Sequence, residues 1–302
     1  MIGVVLMAYG TPAGPADVEA YYTHIRRGRP PSADELADLQ ARYDAIGGVS
    51  PLAERTEAQR ARLQETLDNL APGRFRVALG NKHAAPFIED TVASLIADGA
   101  ERLVGLVLAP HYSRGSVGEY RERLDASAAA AAAGLPVAMI ERWYDLPALH
   151  EFLARAVTDA LAAMPERTKV LFTAHSLPVA VLDGDPYEDE LRASATAVAA
   201  RAGLPRWAGW TLAWQSAART PMAWKGPDIL EVIRDLAATG RADGVVVCPQ
   251  GFTSDHLEVL YDLDIRARSS AEEAGLAFAR TRSVNDDPTV FGELAAVVAA
   301  AV

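Results

Sequence analysis

IGVVLMAYGTP, residues 2–12, is the most informative stretch of this sequence for its fold. Its first seven residues form a nearly continuous apolar run, which is typical of a parallel strand buried on both faces. The residues YGTP that follow mark the carboxyl end of that strand. A similar stretch, KVLFTAHSLP, recurs at residues 169–178. The chain is therefore expected to begin a second unit of the same kind in its second half.

Strand-like and helix-like segments alternate along the rest of the chain. Apolar runs predict strands at residues 2–8, 74–80, 102–110, 136–141, 169–174, 209–216, 244–249 and 276–281. Amphipathic or alanine-rich segments predict helices at residues 50–70, 86–98, 147–163, 188–202 and 227–238. This alternation predicts an α/β fold with parallel sheets and right-handed crossovers. With four strands in each half, we expect two similar doubly wound parallel-sheet domains of the Rossmann-like, flavodoxin type.

A second pair of matching segments helps to place the domain boundaries. LVLAPHYS at residues 106–113 resembles VVVCPQGFTS at residues 245–254, but this pair is closer together in sequence than the first. The first half therefore carries additional sequence, which we assign to an insertion at residues 20–48. The predicted organisation is a first α/β domain at 1–143, a second at 144–288, and a helical tail at 289–302 that packs back on the first domain.

Composition and charge exclude several classes of protein. The 302 residues include 29 Lys and Arg against 40 Asp and Glu, a net charge of −11 that argues against a nucleic-acid binder. The single cysteine, Cys248, excludes an internal disulfide and a cysteine-ligated iron–sulfur cluster. The first residues lack the basic region of a signal peptide, so we expect a cytoplasmic location. No nucleotide-binding glycine loop or zincin motif is present in the sequence.

Ligands of open parallel sheets bind beyond the carboxyl ends of the strands. His175 follows one predicted strand, and an acidic run follows another. Asp255, Glu258 and Asp262 have the spacing of one face of an α-helix, with Leu257, Leu260 and Tyr261 on a different, core-facing stripe. A histidine beside carboxylates can bind a divalent cation or relay protons, whereas an acidic stripe is also typical of a solvated surface. The residues alone leave both readings open.

A basic cluster lies in the predicted insertion. It consists of His24, Arg26, Arg27 and Arg29. Such a cluster is commonly a solvated charge run, yet arginine is also well suited to binding carboxylates.

These segments resemble the ferrochelatases, which insert ferrous iron into a porphyrin. The matching segments are MAYGTP (7–12), YYTHIRRGR (21–29), RYDAIGGVSPL (42–52), GNKHAAPFIED (80–90), TAHSLP (173–178), GDPY (184–187), WQS (214–216), GPD (226–228) and SDHLEVLYDLD (254–264). They run through both halves in the family's order. The YYTHIRRGR segment is closer to the coproporphyrin-using bacterial branch than to the protoporphyrin-using branch.

The resemblance implies a class II chelatase-like fold with a porphyrin cleft between its domains. It assigns the catalytic metal site to His175 and Glu258, with Asp262 as a further metal-binding carboxylate. The substrate-binding residues that it implies are Tyr9, Arg26, Arg42, Tyr43, Ser50 and Tyr120. Arg266 stands where the best-known relatives carry another carboxylate, which argues against an outer metal site. The two pyrrole protons are implied to leave through Glu258 and the acidic ridge that includes Asp255 and Asp262.

The implied activity is that of a lyase that inserts Fe²⁺ into coproporphyrin III, giving Fe-coproporphyrin III (coproheme) for heme biosynthesis. Fe²⁺ is a substrate, and we expect no permanently bound cofactor. The expected partners are the porphyrin and a downstream coproheme decarboxylase, with the chain itself a monomer. The alternatives are a protoporphyrin IX ferrochelatase, a related cobalt or nickel tetrapyrrole chelatase, and a non-catalytic tetrapyrrole carrier.

Overall fold

The computed structural model of the chain describes residues 1–205, 209–218 and 220–302. These residues form two four-stranded parallel sheets. The strands are β1 (Ile2–Ala8), β2 (Phe75–Asn81), β3 (Arg102–Val107), β4 (Val137–Ile140), β5 (Thr168–His175), β6 (Trp210–Gln215), β7 (Gly244–Cys248) and β8 (Ala277–Arg280). The prediction of an α/β fold with four parallel strands in each half is confirmed.

Helices connect the strands. They are α1 (Val18–Ile25), α2 (Ala33–Ala45), α3 (Leu52–Leu70), α4 (Ile88–Ala97), α5 (Val117–Ala131), α6 (Pro147–Leu161), α7 (Val179–Leu182), α8 (Tyr187–Arg201), α9 (Ile229–Ala238), α10 (Arg268–Glu273) and α11 (Pro288–Ala300). A 3₁₀ turn (Pro15–Asp17) precedes α1, and a π-helix (Val259–Ala267) precedes α10. None of the described helices combines the length and hydrophobicity needed to span a lipid bilayer.

The two sheets have the same strand order. It is β2-β1-β3-β4 in the first and β6-β5-β7-β8 in the second, so β1 and β5 occupy equivalent central positions. At each of these strands the order reverses, which opens a crevice at the carboxyl edge of the sheet. β1 ends immediately before Tyr9, and β5 ends on His175. The topology thus places Tyr9 and His175 at the carboxyl edges of their sheets, where ligands of such sheets bind.

The strand segments form strands because their side chains are buried on both faces. Val4, Val5, Leu6 and Met7 are all fully buried in β1, and β7 is buried along its whole length. In β3, Gly105 permits close packing of α5, since a Cβ atom there would lie 2.4 Å from the Leu124 side chain. The predicted strand 102–110 is longer than the observed one, because the chain leaves the sheet before Pro110.

The segment at residues 20–48 contains helical residues and no strand. Ser32 starts α2 with a reciprocal capping box, in which Ser32 Oγ accepts from the Glu35 N–H at 3.3 Å and Glu35 Oε2 accepts from the Ser32 N–H at 2.8 Å. The cap fixes the position of Glu35, which in turn contacts Arg26.

The last helix, α11, packs against α3 and α6. Phe291, Leu294 and Val298 are fully buried there, and Glu293 Oε2 accepts the Ala148 N–H at 2.7 Å. One continuous hydrophobic cluster contains side chains of both sheets together with these helices. The two sheets are therefore held by a shared core rather than by a surface contact.

Candidate active site

His175 is the last residue of β5 and has a fixed ring orientation. Its Nδ1 atom lies 2.5 Å from the carbonyl oxygen of Ser176. A carbonyl only accepts hydrogen bonds, so Nδ1 carries the hydrogen and donates it. The other ring nitrogen, Nε2, lies 3.5 Å from Glu258 Oε1. The backbone thus directs Nε2 toward the carboxylate, which brings together the two residues that sequence reasoning assigned to the metal site.

Both the backbone carbonyl and the carboxylate of Glu258 contact neighbouring side chains. Gln215 Nε2 donates to the Glu258 carbonyl at 3.2 Å, and His256 Nε2 lies 3.9 Å from Glu258 Oε2. The side chains of His175 and Glu258 are 33% and 37% exposed, so the pair is partly open to solvent, and the space that it borders is called the cleft below. Both groups therefore remain accessible to a ligand in the cleft.

The His175–Glu258 pair carries opposite charges. Burial lowers the pKa of His175, but the Glu258 carboxylate and the Ser176 carbonyl outweigh it and raise that pKa above its ordinary value. Burial raises the pKa of Glu258, but the positive charge of His175, aided by His256 and Arg42, outweighs it and lowers that pKa. Without a metal ion, the pair is an imidazolium and a carboxylate.

Glu258 directly precedes a π-helix, not a continuous α-helix. At its end the Arg268 N–H bonds the Leu263 carbonyl, five residues back in the chain. The core-facing residues are Val259, Leu263 and Ala267, which recur every four positions. The prediction that Leu257, Leu260 and Tyr261 form the core-facing stripe is therefore wrong, since all three are only partly buried.

Asp255 does not share a face with Glu258 and Asp262, which corrects the predicted acidic stripe. It precedes the helix and turns toward the segment after β8, where Ser283 Oγ donates to it at 2.8 Å and Asn285 Nδ2 at 3.0 Å. Arg280 Nη1 lies 3.2 Å from its Oδ1. Asp255 is thus a structural carboxylate held in an ion pair.

We expect Asp255→Asn to destabilise the protein. Burial alone would raise the pKa of Asp255, but Asn285, Ser283 and Arg280 outweigh it and hold that pKa below its usual range. A folded-state pKa below the unfolded one stabilises the fold above about pH 4, and this contribution is lost as the pH falls through the folded value. At pH 7 the free energy of unfolding should drop by about 1.5–3 kcal/mol.

Urea unfolding at neutral and acid pH measures this effect. The difference between wild type and Asp255→Asn should shrink in acid. Asp243→Asn is the matched control, because Asp243 pairs with Arg167 at 2.7 Å on the exposed surface and should contribute less. Equal losses in the two variants would contradict the assignment of Asp255 to a stabilising network.

Asp262 lies one turn after Glu258 and is almost fully buried. Ser216 Oγ donates to its Oδ2 at 2.6 Å, and Arg266 Nη1 lies 3.4 Å from its Oδ1. Burial raises the pKa of Asp262, and Glu258 adds to that effect. No group of three or more His, Cys, Asp and Glu side chains arranged to hold a metal ion occurs in the described parts of the chain.

Tyr9 and Tyr43, from the first half of the chain, lie near enough to Glu258 to be influenced by its charge, and Tyr43 is buried. Loss of water around the phenol and then the charge of Glu258 raise the pKa of Tyr9, and burial and Glu258 also raise that of Tyr43. The Tyr43 hydroxyl lies 3.4 Å from Thr11 Oγ1. Tyr9 remains 43% exposed, so its ring is available to a ligand. Tyr120 is instead buried, with Lys82 Nζ 5.3 Å from its ring centroid.

Arg26 and Arg42 of the insertion already have carboxylate partners. Arg26 Nη1 lies 2.7 Å from Glu35 Oε1, and Arg42 Nη2 lies 2.6 Å from Asp38 Oδ2. The Arg42 guanidinium also lies 5.6 Å from the Tyr261 ring centroid, which joins α2 to the π-helix. Arg42 therefore bridges the insertion and the helix that follows Glu258.

Ser50 is buried at the start of α3. Its Oγ atom accepts a hydrogen bond from the Leu52 N–H at 3.3 Å. This contact satisfies one of the free N–H groups at the beginning of the helix. The local contact is therefore that of a helix cap.

Sequence reasoning identified His24 and Arg27 but missed Lys82, His83 and Arg123, which line the same cavity beside Tyr9. A cavity of about 560 Å³ is lined by Tyr9, His24, Ile25, Arg27, Gly28, Lys82, His83, Glu119 and Arg123. His24 and His83 face each other with their Nδ1 atoms 3.0 Å apart. Lys82 and His83 belong to the GNKHAAPFIED segment directly after β2, and that position at a strand end was the signal that could have found them.

Comparisons of fold show that the chain shares its fold with solved structures of chelatases. The sirohydrochlorin chelatase SirB from Bacillus subtilis subspecies spizizenii in complex with cobalt aligns with a TM-score of 0.56 at 10% identity, covering 96% of this chain and 90% of that one. SirB from Bacillus subtilis with Fe³⁺ aligns with a TM-score of 0.59 at 12% identity, covering 99% and 94%. Identities this low show a shared fold alone.

The chain belongs to the ferrochelatase family, whose model matches residues 1–302. The coproporphyrin III ferrochelatase of Geobacillus kaustophilus is 45% identical over 98% of this chain and 94% of that protein. The coproporphyrin III ferrochelatase of Halalkalibacterium halodurans is 41% identical over 98% and 96%. A protein named ferrochelatase from Herpetosiphon aurantiacus is 41% identical over 98% and 97%. The resemblance of the sequence motifs to this family is confirmed.

Proposed function

We propose that this chain is a metal chelatase that inserts Fe²⁺ into coproporphyrin III and releases Fe-coproporphyrin III. The observation that carries the proposal is the 3.5 Å approach of His175 Nε2 to Glu258 Oε1 in a cleft that Tyr9 also faces. The names of relatives that are 41–45% identical over nearly the whole chain support coproporphyrin III as the porphyrin.

Metal insertion requires the porphyrin to lose two pyrrole protons while the metal ion enters the ring. In the proposal, His175 Nε2 faces the macrocycle centre, because Nδ1 is already committed to the Ser176 carbonyl. A neutral imidazole can bind Fe²⁺ or accept a proton. The imidazole is protonated in the resting pair, so His175 must first lose that proton through Glu258 to solvent. The Glu258 carboxylate is then free to take up the two pyrrole protons one at a time and to release each to solvent.

Glu258 is the proposed acceptor of the pyrrole protons. Its carboxylate lies within reach of two imidazoles, His175 and His256, and it is open to the cleft. Asp262 lies on the next turn, hydrogen-bonded to Ser216, and completes a short acidic path along the π-helix. We assign Asp262 the role of assisting metal or proton transfer rather than of binding the metal alone, since both its oxygens already have partners.

Tyr9 is proposed to lie against the opposite face of the macrocycle. Its phenol is exposed at the end of β1, whereas His175 ends β5 in the other sheet. A phenol oxygen on that face can approach the iron of the product. The macrocycle would then lie between a side chain from each sheet.

The four propionates of coproporphyrin III require cationic and hydrogen-bonding partners. We assign this role to Arg26, Arg42, Tyr43, Ser50 and Tyr120, with Lys82 and Arg123 of the neighbouring cavity contributing positive charge. Arg26 must exchange its ion pair with Glu35 for one with a propionate. Charge-assisted bonds to a planar guanidinium make that exchange feasible.

Replacing Arg26 with alanine is expected to weaken coproporphyrin III binding several-fold and protoporphyrin IX binding less. The reason is that coproporphyrin III carries two more propionates for the insertion to bind. Porphyrin fluorescence titrations of wild type and Arg26→Ala with each porphyrin measure this difference. Glu35→Gln provides a second variant, since releasing Arg26 from its partner should strengthen coproporphyrin binding. Equal weakening with both porphyrins would count against propionate binding at Arg26.

Iron insertion tests the proposed function directly. The purified protein is mixed anaerobically with Fe²⁺ and either coproporphyrin III or protoporphyrin IX, and the absorption spectrum is followed. We expect faster conversion of coproporphyrin III. Faster conversion of protoporphyrin IX would reassign the substrate, and insertion of Co²⁺ or Ni²⁺ without Fe²⁺ would reassign the metal. Porphyrin binding with no insertion would indicate a carrier.

We further propose that the chain acts as a monomer and without a resident cofactor. His175, Glu258 and Tyr9 all come from one chain, and proton transfer with metal ligation needs no redox group. A coproheme decarboxylase is the proposed recipient of the product, since heme retains fewer carboxylates than Fe-coproporphyrin III. Analytical ultracentrifugation with and without coproporphyrin III checks the oligomeric state.

A further inference from the structure

The GDPY segment at residues 184–187 connects the two halves of the molecule. Asp185 lies there, between α7 and α8. Its Oδ2 accepts the Arg114 N–H at 2.7 Å and the Ser113 hydroxyl at 3.3 Å, both from the loop after β3. Its Oδ1 accepts the Tyr187 N–H at 3.1 Å. One carboxylate therefore ties the first half to the first residue of α8.

Tyr187 extends this connection to His175. Its hydroxyl donates to the His175 carbonyl oxygen at 3.4 Å. The ring is buried between Trp214 and His111, with centroid separations of 5.9 and 6.5 Å. A buried side chain enclosed by two aromatic rings has little freedom, so displacement of the start of α8 is transmitted to the end of β5.

Neighbouring contacts strengthen the same junction. Arg114 Nη2 donates to the Asp183 carbonyl at 3.1 Å. Glu190, one turn into α8, accepts the Tyr112 N–H at 2.7 Å and lies 3.3 Å from Arg142 Nε. The loop at residues 112–115 follows β3, which pairs with β1, and β1 ends immediately before Tyr9. The junction therefore joins the sheet edge that carries Tyr9 to the backbone of His175.

We propose that Asp185 is a positioning residue that sets the separation between His175 and Tyr9. The inference rests on the proposed function, in which a flat macrocycle lies between those two side chains. Asp185 contacts the loop and α8 rather than the cleft, so it acts on the reaction through Tyr187 and His175. Loss of its carboxylate would let the two sheet edges shift against each other and would misplace Nε2 over the macrocycle.

The variant Asp185→Ala tests this role in the full chain. We expect kcat for iron insertion into coproporphyrin III to fall by about 10-fold or more, since a misplacement of about 1 Å can cost on the order of 10²-fold. The KM for coproporphyrin III should change less, because the arginines of the insertion are untouched. Asp183→Ala is the matched control: it removes a neighbouring carboxylate but keeps the backbone carbonyl that Arg114 contacts. It should retain the wild-type kcat.

Asp185→Asn provides a second variant that keeps the shape of the side chain. Asparagine retains one acceptor oxygen, so the kcat of this variant should fall between those of wild type and Asp185→Ala. If Asp185→Ala does not fold, the kcat of Asp185→Asn tests the positioning role. A residue that only stabilised the fold would lower Tm and leave kcat unchanged. A wild-type kcat in the folded Asp185 variants, or an equal loss of kcat in Asp183→Ala, would overturn the positioning role of Asp185 and leave the proposed function standing. Absence of iron insertion by wild type would instead contradict the proposed function.

Discussion

Replacing His175 with alanine is expected to lower iron insertion by roughly 10²–10⁴-fold, the contribution typical of a positioned acid–base side chain. The substitution removes Nε2, the ring atom that faces Glu258 at 3.5 Å and the proposed macrocycle centre. Coproporphyrin III should still bind, because the residues that we propose to bind its propionates lie outside β5. The expected result is a large loss of kcat with little change in the porphyrin Kd.

Anaerobic stopped-flow absorbance gives kcat, and porphyrin fluorescence gives Kd. Ser176→Ala is the matched control on the adjacent residue. It keeps the backbone carbonyl that fixes Nδ1 of His175 and loses only the hydroxyl contact to the Lys225 carbonyl. Near-normal turnover by His175→Ala, or an equal loss in Ser176→Ala, would remove His175 from the mechanism.

The strands were predictable because burial on both faces leaves a simple pattern in the sequence. The apolar run at residues 2–8 coincides with β1, and the run at 244–249 exceeds β7 by one residue. The positions of Tyr9 and His175 follow from the same pattern, since each comes at the end of a central strand. The repeated motif therefore predicted both the architecture and the edge at which the cleft lies.

The helix after Glu258 was not predictable from an α-helical period. The buried face of this π-helix passes through Val259, Leu263 and Ala267, whereas the apolar pattern also allowed Leu257, Leu260 and Tyr261 to face the core. Asp255 lies before the first turn and finds its partners near residues 280–285, far away in sequence. Such long-range pairs leave no local pattern.

The ion-pair partners of Arg26 and Arg266 were the other feature that the sequence pattern did not reveal. Arg26 was expected to be free for propionates, yet the capping box of α2 places Glu35 against it. Arg266 does more than replace a carboxylate, because it lies one turn from Asp262 and partly neutralises it. The neighbouring charges therefore decide which carboxylates of this cleft remain available to a metal ion.

Replacing Glu258 with glutamine is expected to lower kcat by about 10²–10⁴-fold, because the amide cannot accept the pyrrole protons. Glutamine keeps the size of the side chain and a hydrogen-bonding oxygen near His175, so porphyrin binding should persist. The KM for Fe²⁺ should also rise, because a neutral amide is a poorer ligand for a divalent cation than a carboxylate. Steady-state rates at varied Fe²⁺ and coproporphyrin III separate these effects.

The same variant has a spectroscopic consequence that does not depend on turnover. Glu258 holds the pKa of His175 above its ordinary value in the metal-free protein, so Glu258→Gln should lower that pKa. Histidine ring signals followed by NMR during a pH titration measure the change. Glu188→Gln is the matched control. Glu188 lies on α8 and pairs with Lys225 and Arg192, so this substitution should leave both the pKa of His175 and kcat unchanged. An unchanged pKa of His175 in Glu258→Gln would mean that the two side chains do not interact in solution, and the proposed proton transfer between them would then have no basis.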